Sequence, residues 1–193
     1  AVNAPSPDAG RPGNQQPAGH HVLDEVASVL GRFVVFPSEH EAITVALFIT
    51  HTYLTEAADF SPYLHVTSAE RRSGKTTLIE LISELAAHPF LAASASPAAI
   101  YRGLNSDDIR RTLILDEVDT IFVGRKSSDV AEALRQVLNA GTRRGSALVR
   151  RSNERGGLES FDVFGPKVLA GIGDLPETLR DRAIRIRLKR KLP

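Results

Sequence analysis

The sequence predicts an α/β fold built on a mostly parallel sheet, and three observations indicate it. Short apolar segments alternate with amphipathic ones, as in folds whose helices connect parallel strands. One apolar segment, residues 63–67, leads through a polar loop into Gly74-Lys75-Thr76-Thr77, a phosphate-binding pattern at a helix start. Another, residues 112–116, ends in acidic residues. Such sheets bind ligands at the carboxyl ends of their strands.

Composition narrows the classes of protein. The 193 residues carry a formal net charge of +1, so overall charge favours neither nucleic acid nor a membrane surface. The chain has no cysteine, which excludes disulfides and cysteine-ligated metals and fits a cytoplasmic location. No apolar run approaches the roughly 20 residues of a membrane span. Methionine is absent too, so we expect an excerpt of a longer or processed protein.

The chain divides into a linker and one domain. Residues 1–20 are rich in Pro, Gly and polar residues without apolar periodicity, which predicts a flexible linker. Residues 21–193 form one predicted domain, with a helical part at 21–60 and, at 61–193, a core that contains the phosphate-binding pattern.

The helical part begins with apolar residues at helical spacing in 22–33. Phe33-Val34-Val35-Phe36-Pro37 predicts a short strand or a turn. A mostly apolar, hence buried, helix is expected over 38–57, where Ser38 and Glu41 have the spacing of a capping box.

The core alternates strands and helices. The predicted strands are residues 63–67, 90–94, 112–116, 167–171 and 183–188, and the predicted helices are residues 75–87, 96–104, 127–141 and 175–182. A β-hairpin is expected from 147–152 and 158–164. The last strand alternates isoleucine and leucine with basic residues, as in an edge strand with one solvated face.

The polar loop fits a phosphate-binding loop. The strict pattern is Gly, any four residues, then Gly-Lys-Ser/Thr, and alanine replaces the first glycine here. The predicted nucleotide-binding residues are Ala69, Glu70, Arg71, Arg72, Ser73, Gly74, Lys75, Thr76 and Thr77. Backbone amides near Gly74 would face the anion, Lys75 the β- and γ-phosphates, Thr76 a Mg²⁺ ion and Thr77 an α-phosphate oxygen. The alternative is an ordinary helix N-terminus.

The acidic residues after the third strand complete the predicted site. Asp116 would hold Mg²⁺ together with Thr76, usually through water, and Glu117 would orient or deprotonate the attacking water. The catalytic candidates here are Lys75 and Glu117. A solvated acidic turn is the alternative for the pair, and Asp119 is expected to be a structural cap. ATP and Mg²⁺ are the predicted ligands.

Longer segments carry a family resemblance: SPYLHVTSAERRSGKTTLIE, TLILDEVDTIF, LNAGTRRGSALVRR and FGPKVLAGIGDLPETLRDRAIRIRLKRK. Over most of residues 22–190 the chain resembles AAA+ ATPases, which are P-loop NTPases. It is most similar to a domain family of unassigned function in predicted helicases and primase–helicases of phages, plasmids and integrated elements. The resemblance implies five parallel strands flanked by helices, with a β-hairpin insertion before the fourth strand. It also implies a homo-oligomeric ring that drives DNA unwinding or translocation in replication.

The resemblance also assigns roles to arginines. Arg182 resembles the arginine finger that reaches a neighbouring subunit's nucleotide, and Arg180 is the competing candidate. The polar sensor expected after the fourth strand is missing from AGIG, and Asp174 is the nearest candidate. The helical lid of these ATPases is absent from the sequence given.

The predicted hairpin resembles the hairpin that projects into the pore of ring helicases. Arg150, Arg151 and Arg155 would contact DNA phosphates there without reading sequence. A solvated turn, or arginines paired with a neighbouring subunit, is the alternative. Two other functions stay open: a nucleotide-gated loader or regulator, and a small-molecule P-loop kinase.

Overall fold

A computed structural model describes residues 19–68, 73–92, 96–105, 109–119, 129–152 and 157–189. The elements in chain order are α1 (Gly19–Phe33), α2 (Glu39–Tyr53), a 3-10 turn (Thr55–Ala57), β1 (Tyr63–Ser68), α3 (Lys75–Leu85), β2 (Pro89–Leu91), α4 (Pro97–Leu104), β3 (Thr112–Leu115), α5 (Asp129–Ala140), β4 (Leu148–Ser152), β5 (Leu158–Asp162), β6 (Lys167–Ile172), α6 (Glu177–Arg180) and β7 (Ala183–Leu188).

The central sheet has five parallel strands in the order β2-β3-β6-β1-β7. This confirms the predicted fold class, a parallel α/β sheet flanked by helices. β6 lies between β1 and β3, so the strand before the phosphate-binding pattern and the strand before the acidic residues are separated by one strand. β7 forms one edge of the sheet, as its alternating pattern predicts.

Apolar side chains cover both faces of the sheet. On one face, residues of α1, α2 and α3 pack with Leu64, Val66 and Ile186. On the other, residues of α4 and α5 pack with Tyr63 and Leu169. β1 is buried along its whole length, because it is central in the sheet and covered on both sides. The strand that precedes the phosphate-binding pattern is therefore held firmly in the core.

The N-terminal helices differ in part from expectation. Ser38 caps α2 and forms the predicted capping box with Glu41. The helix is not buried all round, however, since Ile43 and Leu47 are exposed on one side of it. The apolar composition predicted the helix correctly, but it did not predict that one side of the helix is exposed. Residues 34–36 form neither the strand nor the turn that were predicted; they are irregular and lead into a bend at residues 37–38.

The hairpin insertion precedes β6, as predicted. β4 and β5 pair antiparallel, with Arg150 opposite Ser160. Its base is fixed to the core by an ion pair of 2.7 Å between Arg110 and Asp162. Nearby, the Lys167 ammonium is buried and donates to the carbonyl oxygens of Val163 and Gly165, at 2.8 and 2.9 Å. These bonds anchor the hairpin to the start of β6.

Boundaries of several elements shift by a few residues. β2 covers Pro89–Leu91, whereas the predicted strand ran to residue 94, and residues 93–95 lie outside the described part of the chain. α1 begins at Gly19, two residues before the predicted domain boundary. The other predicted linker residues, 1–18, are outside the described ranges. Among the helices that the structure describes, none has the length and apolar character needed to cross a membrane.

We expect protonation of His65 to destabilise the domain in acid. His65 is 2 % exposed on β1, and burial lowers its pKa to about 4 from an ordinary value of 6.5. Between these values the unfolded chain binds the proton more tightly, so stability is lost as pH falls from 6.5 towards 4. The loss amounts to about 3 kcal/mol. It is measured as the difference in unfolding free energy between the parent and His65→Gln across this pH range. Parallel pH profiles for the two proteins would contradict the prediction.

Candidate functional site

The phosphate-binding pattern lies between a strand end and a helix start. β1 ends at Ser68 and α3 begins at Lys75, with Gly74 as its N-cap. Gly74 has φ +86°, a left-handed conformation that is costly for residues with a side chain. No side chain of the described residues caps this helix, so its first amides are available to an anion.

Two side chains beside Gly74 point to a polar ligand. Ser73 is only 6 % exposed, and its Oγ has no hydrogen-bond partner among the described residues. A buried hydroxyl without a partner is unusual and fits a site completed by a bound group. The Lys75 Nζ donates to the Ser68 Oγ at 2.5 Å, which holds the ammonium at the end of β1.

The acidic residues form a tight turn after β3. The Asp116 Oδ1 accepts a hydrogen bond of 2.8 Å from the Glu117 backbone N–H. Glu117 has φ +54°, a left-handed conformation that costs about 1–2 kcal/mol for a residue with a side chain. Both carboxylates are exposed to solvent. Strained backbone of this kind is concentrated at functional sites.

A single cavity joins the two motifs. Its volume is about 730 Å³, and it is lined by Ser73, Gly74, Lys75, Thr76, Thr77, Asp116, Glu117, Asp119, Gly171 and Ile172. Both motifs lie at the carboxyl ends of their strands. Because one strand separates β1 from β3, they are about 10 Å apart. A nucleoside triphosphate with a bound metal ion is long enough to contact both motifs.

Three of the lining residues were not identified as site residues from sequence. The Asp119 Oδ1 accepts a hydrogen bond of 2.9 Å from the backbone N–H of Ile172, and Gly171 packs against the same carboxylate. Asp119 was expected to be structural, as a helix or turn cap; its hydrogen-bond partner is the backbone of Ile172 at the end of β6, the strand next to β3. The sequence shows that an aspartate stands at position 119 of LILDEVD, but it does not show which strand provides the hydrogen-bond partner.

Other predicted residues lie away from the cavity or outside the description. Asp174, the sensor candidate, does not line the cavity; its Oδ1 accepts from Arg185 at 2.8 Å instead. Ala69–Arg72 of the loop and Arg155 of the hairpin lie outside the described residues.

The described hairpin arginines have different environments. Arg150 is exposed. Arg151 is half-buried: its guanidinium lies 5.1 Å from the Tyr101 ring centroid, and Nη1 donates to the Tyr101 hydroxyl at 3.3 Å. At the start of the insertion, Arg144 donates to the carbonyl oxygen of Thr55 at 2.7 Å. Of these three, Arg150 presents its cation most openly to solvent.

The arginine-finger candidates do not line the cavity of their own chain. The Arg182 Nη1 donates to the Thr178 carbonyl, and the side chain is half-buried. The Arg180 side chain is 51 % exposed, and its nearest acidic partner, Glu177, is 3.9 Å away. To reach another molecule, Arg180 would have to break only its long ion pair with Glu177, whereas Arg182 would have to break its hydrogen bond to the Thr178 carbonyl.

The fold is similar to that of a known helicase. In the crystal structure of JCV helicase bound to N-(4-(2-(thiazolo[5,4-c]pyridin-2-yl)phenoxy)phenyl)acetamide, a chain superposes with a TM-score of 0.53 and 16 % sequence identity. The match covers 93 % of this chain and 48 % of that chain. This domain therefore shares its α/β fold, a five-stranded parallel sheet flanked by helices, with part of that helicase chain. It spans about half the length of the helicase chain. No family model matches the sequence, and no curated protein matches it.

Proposed function

We propose that this domain binds ATP with Mg²⁺ and hydrolyses it as the motor of a DNA-replication protein. The observation that carries the proposal is the shared cavity of Gly74, Lys75, Thr76, Asp116 and Glu117. Open helix amides and an ammonium lie on one side of it and two carboxylates on the other. The similarity in fold to JCV helicase supports a helicase-type motor. The resemblance to predicted mobile-element helicases supports the replication role.

Each residue of the site has a separate proposed role in nucleotide binding or hydrolysis. Amides at the start of α3 and the Lys75 ammonium bind the phosphate oxygens and offset their charge. The Thr76 hydroxyl and the Asp116 carboxylate would hold Mg²⁺, which supplies charge stabilisation at the β- and γ-phosphates. Glu117 orients a water molecule towards the γ-phosphorus and accepts its proton as the bond to ADP breaks. Its side chain is exposed and lines the cavity.

A ring would complete the site between subunits. Neither finger candidate lines the cavity of its own chain, which supports an arginine supplied by a second copy. The sequence favoured Arg182, but Arg180 is more exposed and its ion pair with Glu177 is long, at 3.9 Å, which favours Arg180. Among the hairpin arginines that the structure describes, Arg150 is the more exposed and is the one proposed to contact DNA phosphates.

We expect Arg180→Ala to reduce ATP hydrolysis about 100-fold or more while ATP affinity stays within about twofold of the parent. An arginine that arrives in trans stabilises transition-state charge, worth on the order of 10³–10⁵ in rate in GTPases. Arg182→Ala is the matched control, and it should hydrolyse ATP within about threefold of the parent. The measurement is steady-state turnover with titration of a fluorescent nucleotide. The reverse ranking of the two variants would restore Arg182 as the finger.

The proposed motor is tested by turnover against protein concentration and DNA. Turnover per subunit should rise with protein concentration, since each site needs a neighbour, and rise again when single-stranded DNA is added. Turnover that depends neither on protein concentration nor on DNA would contradict the proposed motor function. Separation of a forked duplex distinguishes a helicase from a loader or regulator, which would show DNA-stimulated hydrolysis without strand separation. A phosphorylated small molecule as product would indicate a kinase.

A further inference from the structure

We propose that Asp119 is a positioning residue for ATP hydrolysis, holding the Glu117 carboxylate in place by tying the turn after β3 to the end of β6. This inference rests on the proposed ATPase function. Asp119 lines the cavity, and its Oδ1 accepts a hydrogen bond of 2.9 Å from the Ile172 N–H. The contact joins the ends of two neighbouring parallel strands at the sheet edge where the nucleotide would bind.

The contact is closely fitted. A Cβ built on Gly171 would lie 2.6 Å from the Asp119 Oδ1 and 3.0 Å from Val118 Cγ2. Real Cβ atoms essentially never come as close as the first distance. A glycine at position 171 therefore leaves the space that the carboxylate occupies. A larger residue there would push Asp119 away while leaving its charge in the molecule.

The fitted contact lies beside the strained residue. Glu117 has a left-handed φ of +54° and is held on both sides. On one side, the Asp116 Oδ1 accepts from the Glu117 N–H. On the other, Val118 is buried in the core and Asp119 is bound to β6. Loss of the Asp119 anchor would let the turn relax towards an unstrained conformation and move the carboxylate that orients water.

The same strand end is connected to the phosphate side of the cavity. Just after β6, the carbonyl oxygen of Gly173 accepts a hydrogen bond of 2.7 Å from the Thr67 Oγ1 near the end of β1. Asp119, β6 and Thr67 thus form a continuous path from the acidic turn to the strand that carries the phosphate loop. Asp119 holds the acidic turn at a fixed position relative to the end of β1.

Four single variants and one double variant test the inference by turnover and nucleotide affinity. We expect Asp119→Ala to lower kcat about 10- to 100-fold with nucleotide Kd within about twofold, because positioning acts on the reacting water rather than on binding. Asp119→Asn keeps an oxygen acceptor for the Ile172 N–H and should stay within about threefold of the parent. Asp24→Ala, an exposed aspartate on α1, is the control for loss of an acid elsewhere and should match the parent.

Gly171→Ala displaces the carboxylate without removing it. It should lower kcat as Asp119→Ala does, and the double variant should be no slower than the slower single variant, because both changes break one contact. The inference is overturned if Asp119→Ala turns over like Asp24→Ala, if Asp119→Asn is as slow as Asp119→Ala, or if the two single effects multiply. A parent that does not hydrolyse ATP refutes the proposed function and this inference together. A parent that does, with an Asp119→Ala variant as fast, refutes this inference alone.

Discussion

Lys75→Ala should abolish tight ATP binding, with Kd raised about 100-fold or more. The Lys75 ammonium lines the cavity, and its removal deletes charge-assisted hydrogen bonds to phosphate oxygens. The fold should survive, because Lys75 is partly exposed and its described bond is to the Ser68 hydroxyl at the strand end. Titration of a fluorescent ATP analogue measures the affinity, and the thermal unfolding midpoint reports on the fold.

Lys189→Ala is the matched control for Lys75→Ala. Lys189 is exposed just after β7 and does not line the cavity, so its loss should leave ATP affinity unchanged. Comparable ATP affinities for the parent and Lys75→Ala would show that the phosphate loop does not bind the nucleotide as proposed. An equal loss in Lys189→Ala would show that overall charge, and not the loop, attracts the nucleotide.

Glu117→Gln should keep ATP binding but slow hydrolysis about 10²- to 10⁴-fold, the usual contribution of a general base. The amide preserves the size of the side chain and removes the proton acceptor. ATP should therefore stay bound intact, and single-turnover experiments with labelled ATP would show a stable complex. Glu84→Gln, an exposed change on α3, is the control and should turn over like the parent.

A Glu117→Gln variant with parental turnover would assign the base to another group. The carboxylate of Asp116 is the neighbour to test next, since both acids line the cavity. Loss of binding in Glu117→Gln would instead indicate that the glutamate holds the nucleotide rather than the water.

Local patterns were sufficient to predict the fold class. The segment 63–67 is mostly apolar, and in the structure β1 is buried on both faces, as an interior parallel strand should be. Ser38 and Glu41 predicted a capping box that forms. Both signals depend on residues within a few positions of each other, so the sequence displays them directly.

Strand order and long-range contacts could not be read from the same patterns. The bond from Asp119 to Ile172 joins residues 53 positions apart, and it exists because β3 pairs with β6. Likewise, nothing in the hairpin sequence shows that Arg151 packs on Tyr101 of α4 while Arg150 is exposed. Alternation along the strand separates neighbours onto opposite faces, but the contact that fills each face is tertiary.

The magnesium dependence of nucleotide affinity tests most directly whether Gly74, Lys75 and Asp116 act on one bound triphosphate. The measurement is the Kd of a non-hydrolysable ATP analogue, by calorimetry, with Mg²⁺ and with EDTA, for the parent and Asp116→Asn. The parent should bind at least about tenfold more tightly with Mg²⁺, and Asp116→Asn should lose most of that difference while keeping its metal-free affinity. If Asp116→Asn retains the full magnesium effect, the carboxylate across the cavity does not share the ligand of the phosphate loop, and the account is contradicted.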